Sequence, residues 1–349
     1  MWFRTAAVEF QPVYMIPLFS IQPTRCGIFN ETGYYTGSVP MVTAKHHITA
    51  VAGDPQANIN FYHHLLGQRL VKRTVNFDDP GTYHFYFGDE VGTPGTILTF
   101  FPWRHMARGQ RGNGEVAATA YTIHRDSIDY WRQRLADHGV AVGQIQTRFG
   151  MEVLSFQDPE GMIVELVAHD GRATYSHWHD GPIPQDHALR GFFGATLWVA
   201  EAEGTGALLT ESLGFTFAGK EGNRSRFLAA SDDMGVTIDL LERPGMPYGR
   251  LGAGSVHHIA FRTVDDKEQG EYLSALRQDG YNVTPVQDRQ YFHSIYFRSP
   301  GGVLFEIATD APGFAYDEAV AELGTHLKLP PWLESRRGEI EKQLPAFTL

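Results

Sequence analysis

Ser255-Val256-His257-His258-Ile259-Ala260-Phe261 carries a histidine doublet into a β-branched, apolar run. Far upstream, Lys45-His46-His47-Ile48-Thr49-Ala50-Val51 opens the same way. A polar doublet leading into such a run predicts the start of a β-strand. Downstream, Phe305-Glu306-Ile307 sets a carboxylate inside another apolar run. Two imidazoles and one carboxylate form the facial set that holds Fe(II) and leaves positions open for substrate and dioxygen. His47, His258 and Glu306 are therefore the candidate metal ligands.

Working outward, the chain repeats itself. Ser155-Phe156-Gln157-Asp158-Pro159-Glu160-Gly161-Met162-Ile163-Val164-Glu165-Leu166-Val167 parallels Tyr296-Phe297-Arg298-Ser299-Pro300-Gly301-Gly302-Val303-Leu304-Phe305-Glu306-Ile307-Ala308. Both read as strand, Pro-Gly turn, strand. Pro94-Gly95-Thr96-Ile97-Leu98-Thr99-Phe100 and Met234-Gly235-Val236-Thr237-Ile238-Asp239-Leu240 are looser copies. Each copy follows a strand and a helical stretch that stops at a glycine: Gly67, Gly139, Gly214 and Gly280. The pattern predicts an α+β protein of four βαβββ modules, 44–101, 116–169, 192–242 and 255–309.

The expected division is an extension over 1–43, a first domain over 44–170 (modules 1 and 2), and a linker over 171–190. A second domain over 191–312 (modules 3 and 4) and a C-terminal tail over 313–349 complete it. The extension is expected to be poorly ordered. The tail, with Leu329-Pro330-Pro331-Trp332 and a charged helix from Glu334, is expected to pack on a partner subunit or across the domains. The linker holds His177, His179 and His187 in Pro/Gly/Asp-rich sequence, which reads as solvated rather than metal-binding.

Spacing separates the modules. Alignment of the Pro-Gly turns without a gap puts Phe100 opposite Glu306, so module 1 offers a histidine and no carboxylate. Module 2 has Ala118 at the histidine position and Glu165 at the carboxylate position. Module 3 has Gly194 and Asp239 at the same places. One ion can then bridge His47 and His258 only if modules 1 and 4 share a cup, leaving modules 2 and 3 to pair. Glu165 and Asp239 read as hydrogen-bonded remnants. Strict strand alternation points His46 away from the face of His47.

Bulk properties exclude other classes. The 349 residues include 42% hydrophobic and 20% charged ones, with no apolar run long enough to span a membrane. A formal net charge of −11 without a Lys/Arg cluster argues against nucleic-acid partners. The single Cys26 excludes an intramolecular disulfide framework and fits a reducing cytoplasm.

Beyond the modules, His46-His47-Ile48-Thr49, Gly67-Gln68-Arg69-Leu70-Val71-Lys72-Arg73-Thr74 and Gly88-Asp89-Glu90-Val91-Gly92-Thr93-Pro94-Gly95-Thr96 resemble one group closely. It is the hydroquinone-cleaving branch of the vicinal-oxygen-chelate (glyoxalase/extradiol dioxygenase) superfamily, and the resemblance covers roughly 44–335. It implies Fe(II), with Mn(II) as the alternative ion, on His47, His258 and Glu306. It also implies a substrate pocket lined by His46, Thr49, His257 and Tyr296, with Arg289 in the loop before the last strands. His257, Tyr296 and His46 would be catalytic, and Thr49 and Arg289 would bind substrate. The expected partners are a small aromatic diol and dioxygen, and the expected assembly is a homo-oligomer. The competing readings are a metal-dependent isomerase or lyase on the same scaffold and a module that only binds an aromatic ligand.

Overall fold

The computed structural model describes residues 41–170, 175–231 and 235–349, all within one compact unit. Residues 1–40 of the expected extension over 1–43 and residues 171–174 of the linker lie outside them. Sixteen strands are present among the described residues, four to a module. Module 1 holds β1 (Lys45–Ala52), β2 (Arg69–Asn76), β3 (Asp79–Gly88) and β4 (Ile97–Pro102). Module 2 holds β5 (Glu115–Ile123), β6 (Gln146–Arg148), β7 (Met151–Gln157) and β8 (Ile163–Ala168). Module 3 holds β9 (Phe192–Val199), β10 (Thr216–Glu221), β11 (Arg224–Leu228) and β12 (Thr237–Glu242). Module 4 holds β13 (Ser255–Thr263), β14 (Gln287–Asp288), β15 (His293–Arg298) and β16 (Leu304–Thr309).

The helix of each module falls between its first and second strands. In module 1, Asp54 caps the helix by accepting the Ala57 amide at 2.8 Å, with Pro55 at the first helical position. In module 4, Asp265 does the same for the Glu268 amide at 2.8 Å. The four expected stop glycines, Gly67, Gly139, Gly214 and Gly280, all take positive φ, where a Cβ would be strained.

The modules assemble into two curled eight-stranded sheets in the order β14-β15-β16-β13-β1-β4-β3-β2 and β10-β11-β12-β9-β5-β8-β7-β6. Module 4 thus joins module 1, and module 3 joins module 2, each through an antiparallel pair of first strands (β1–β13 and β5–β9). Strand alternation sends Ile48, Phe100, Leu240 and Phe305 to a continuous apolar core, which the helix residues Tyr62, Trp131 and Tyr272 complete. The opposite face of each sheet forms a cup. No helix among the described residues is long and apolar enough to cross a membrane.

The tail packs within its own chain, against the outer strands of module 1. Lys72, fully buried, meets Asp317 at 2.6 Å and Glu318 at 2.5 Å, and Arg69 donates to the Val320 carbonyl. Phe314 inserts beside Tyr86 and Tyr291, while Leu329, Leu333 and Ile340 bury against Val75.

Candidate metal centre

Two irregularities in the β1–β13 pair build the site. Lys45 pairs with Phe261 and His47 with Ala260, so His46 is an extra residue on β1. Thr49 pairs with His258 and Ala50 with Val256, so His257 is an extra residue on β13. A bulge of this kind re-aims side chains and bends the strand. Each doublet consequently keeps its two rings together, with Nδ1 of His46 and His47 2.9 Å apart and Nδ1 of His257 and His258 2.8 Å apart. The expectation that His46 turns away from His47 fails, because strict alternation does not hold across a bulge.

With Nδ1 taken up inside each doublet, Nε2 of His47 and of His258 face each other at 3.3 Å. Glu306, fully buried on β16, places Oε2 2.8 Å from His258 Nε2 and 3.4 Å from His47 Nε2. Ser294 donates to the other carboxylate oxygen at 2.5 Å, whereas Oε2 completes no aligned hydrogen bond. Burial alone would raise the Glu306 carboxyl, but His47 and His258 outweigh it and hold it well below the usual range. Burial lowers His258 despite the attraction of Glu306. Two imidazole Nε2 atoms and a buried carboxylate oxygen aimed at one point are the donor set of a cation. These three residues could hold a metal ion.

The doublets also assign protons. If Nε2 of each inner ring offers its lone pair to an ion, its Nδ1 must carry the hydrogen. That hydrogen then goes to Nδ1 of His46 or His257, which fixes ring orientation. Burial, followed by the neighbouring ring, lowers both partners, His46 well below its usual value and His257 to about 3. Both therefore stay neutral and able to accept.

The other expected residues gather at the same cup. Thr49 is paired with His258 across the sheet and stands two residues beyond His47 on one strand face. The Tyr296 ring lies 5.6 Å from that of His258, and Arg289 Nε donates to the Tyr296 hydroxyl at 3.2 Å. Burial, then Glu306, raises the Tyr296 phenol further than Arg289 lowers it, so it keeps its proton. A cavity of about 190 Å³ borders His257, walled by Arg298, Leu304 and Leu251, and is lined by none of His47, His258 and Glu306. A larger groove of about 870 Å³, against residues 57–65 and 138–143, shares no residue with the cup.

Strand register corrects one expectation. In every module a glycine with positive φ precedes the carboxylate position by four residues: Gly95, Gly161, Gly235 and Gly302 lead to Thr99, Glu165, Asp239 and Glu306. Cross-strand partners agree, since Thr49 pairs with Thr99 as Ala260 pairs with Glu306. Thr99, and not Phe100, is the counterpart of Glu306. Proline spacing misleads because only the glycine is obliged by backbone conformation. Phe100 packs in the core against Tyr62 and Phe87. Sequence reasoning also passed over His84, Tyr86 and Phe292. The first two alternate along β3, and the Phe292 ring lies 4.9 Å from that of His47. The available signal was register: Tyr86 pairs with Thr99 as Tyr296 pairs with Glu306.

The second cup is closed by ion pairs. Arg148 meets Glu165 at 2.7 Å, and Ser155 donates to the same oxygen at 3.0 Å. Arg226 grips Asp239 through two bonds of 2.8 and 2.9 Å, with Arg224 adding one of 3.0 Å. Of the linker histidines, His187 stacks on Tyr130 and bonds Ser127, while His177 and His179 lie beside each other. No metal-competent cluster includes them among the described residues.

Comparison with known proteins follows the same lines. The family model described as "Glyoxalase/Bleomycin resistance protein/Dioxygenase superfamily" matches residues 45–166 and 186–307. The chain is 46% identical over 302 residues to "Putative ring-cleaving dioxygenase MhqO" of Bacillus subtilis (strain 168), covering 86% of this chain and 96% of that protein. It is 36% identical over 311 residues to the "Chlorohydroquinone/hydroquinone 1,2-dioxygenase" of Sphingobium indicum, covering 86% and 95%. A crystal structure of a "putative dioxygenase from Bacillus subtilis subsp. subtilis str. 168" superposes with a TM-score of 0.85 at 45% identity, covering 88% and 98%.

Proposed function

The chain belongs to the glyoxalase/bleomycin resistance protein/dioxygenase superfamily, and from that premise we propose that it is a non-haem Fe(II) dioxygenase that opens hydroquinone-type aromatic diols with dioxygen. The observation that carries the reading is the convergence of two imidazole Nε2 atoms and a carboxylate oxygen in one buried cup. The names borne by the relatives supply the substrate class. Thr99 at the fourth position argues against an isomerase shell closed by a second carboxylate.

In this reading His47, His258 and Glu306 are the ligands. A bound Fe(II) supplies open coordination positions and the electron transfer that ring cleavage by dioxygen requires. Two neutral imidazoles and one carboxylate leave net positive charge at the centre, so the residues favour a phenolate over a neutral phenol. His46 and His257 accept the Nδ1 hydrogens of the ligand rings and hold the correct tautomer. We also assign His257, paired with the ring of His258, to proton transfer with the substrate. The far hydroxyl of a para-diol cannot reach the metal, so the protein must bind it. Tyr296 is suited to bind it, because its hydroxyl, whose oxygen accepts from Arg289, also carries a proton. Thr49 offers a second hydroxyl beside the ligands. The single cysteine accords with a cytoplasmic setting, where we place the protein as a homo-oligomer.

Oxygen uptake by anaerobically reconstituted Fe(II) protein tests the proposal across hydroquinone, methylhydroquinone, chlorohydroquinone and catechol. Turnover of a para-diol ahead of catechol is expected. Catechol turned over faster than every hydroquinone would reassign the protein to ordinary extradiol cleavage.

A further inference from the structure

Four polar side chains of module 1 form a continuous hydrogen-bonded line that ends in the cup. The Tyr86 hydroxyl lies 2.9 Å from His84 Nδ1, and His84 Nε2 lies 2.9 Å from Thr99 Oγ1. Thr99 Oγ1 in turn donates to Thr49 Oγ1 at 2.9 Å. Thr49 pairs with His258 on one side and Thr99 on the other, so the line terminates next to the metal ligands. Tyr86, Thr99 and Thr49 are buried, and His84 is covered by the rings of Tyr86 and Phe101 at 4.0 and 4.2 Å.

Internal symmetry says what this line replaces. By register, Tyr86 corresponds to Tyr296, Thr99 to Glu306 and His84 to Ser294. In module 4, Ser294 donates to Glu306 and so steadies a carboxylate aimed at the ligand point. Module 1 has given up the carboxylate but keeps a donor on the matching pair of positions. Its donor, His84, steadies a hydroxyl that reaches sideways to Thr49.

Rotatable hydroxyls alone have no fixed direction, whereas a neutral imidazole does, because one nitrogen donates and the other accepts. A buried phenol is a better donor than acceptor, and burial raises Tyr86 well above its usual value, so it keeps its proton. It therefore donates to Nδ1, which leaves the hydrogen of His84 on Nε2 and aimed at Thr99. Thr99 then donates to Thr49, and the one hydrogen without a partner is that of Thr49. We propose that His84 is a positioning residue: held by Tyr86 and acting through Thr99, it turns the Thr49 hydroxyl into a directed hydrogen-bond donor for the metal-distal oxygen of the para-diol. The inference rests on the functional reading above and adds to it the groups that orient the substrate.

Nitrogen-15 NMR of histidine-labelled protein reads the tautomer directly, with the His84 signals assigned by their loss in His84→Gln. The Nε2–H form is expected, and Tyr86→Phe should convert it to a mixture; an Nδ1–H form in the wild type overturns the relay. In steady-state assays, Thr99→Val keeps a β-branched shape and removes the hydroxyl. It should lower kcat/KM for hydroquinone about tenfold to a hundredfold, the effect of one misdirected hydrogen bond. Iron content should be unchanged, catechol turnover should fall less, and Thr99→Ser should restore activity. Equal activity of Thr99→Val and wild type on hydroquinone also overturns the proposal. A wild-type protein inert towards every diol overturns the functional reading instead, and the relay then stands or falls on the tautomer alone.

Discussion

At the scale of single residues, the site separates side chains that hold an ion from side chains that hold a proton. His47→Ala, His258→Ala and Glu306→Ala each remove one of the converging donors, and each should purify without stoichiometric iron. Glu165→Ala, which alters the second cup, should retain it. His46→Ala and His257→Ala should keep iron and lose turnover, since each removes an acceptor behind a ligand ring and no ligand atom. Metal analysis of the six proteins decides the assignment, and iron retained in Glu306→Ala would sink it. Tyr296→Phe tests recognition of the far hydroxyl. A site built to bond a hydroxyl discriminates strongly against analogues that lack it. The loss in kcat/KM should therefore be larger for hydroquinone than for catechol, which can hold itself by two bonds to iron; equal losses would contradict the role.

At the scale of elements, the two cups show one architecture used with different chemistry. Glycine-led turns set the carboxylate positions in modules 2, 3 and 4 at the same register. In the second cup the histidine positions are Ala118 and Gly194, too small to reach an ion, and arginines fill the space. Buried pairs of this kind contribute little net stability compared with apolar packing, but breaking one leaves a buried charge alone. Asp239→Ala strands Arg224 and Arg226 together and should destabilise the protein by about 3–5 kcal/mol. Chemical denaturation measures this, with iron content expected to stay at the wild-type level. The bulges in β1 and β13 are the counterpart device in the first cup. Each supplies the extra residue that lets adjacent histidines share a face.

At the scale of the whole molecule, the tail is part of the first cup's outer wall. Lys72 is fully buried between Asp317 and Glu318, and Phe314 completes an aromatic cluster with Tyr86 and Tyr291. Phe314→Ala opens a cavity there and should cost about 3–5 kcal/mol, measurable as a lowered melting temperature. Because Tyr86 heads the hydrogen-bonded line to Thr49, turnover should fall in the same variant; an unchanged melting temperature would show that the tail does not brace the cup. Much of this arrangement is legible in the sequence. Four repeats, four helix stops and two histidine doublets follow from local pattern, because strand and helix periods and glycine conformations are properties of short stretches. The partnership of modules 1 and 4 is legible too, since one ion needs all its ligands within a few ångströms and only those modules carry histidine at the ligand position of the first strand. Three things needed the folded chain. The facing of His46 and His257 depends on bulges, which arise from strand pairing and leave no mark in a strand read alone. Thr99 and His84 entered the site only once register was known, because a one-residue difference in turn length exchanges the two faces of a strand. Sequence by itself determined which residues could bind an ion; which neighbours aim them was decided by pairing across the sheet, where contacts join residues far apart in the chain.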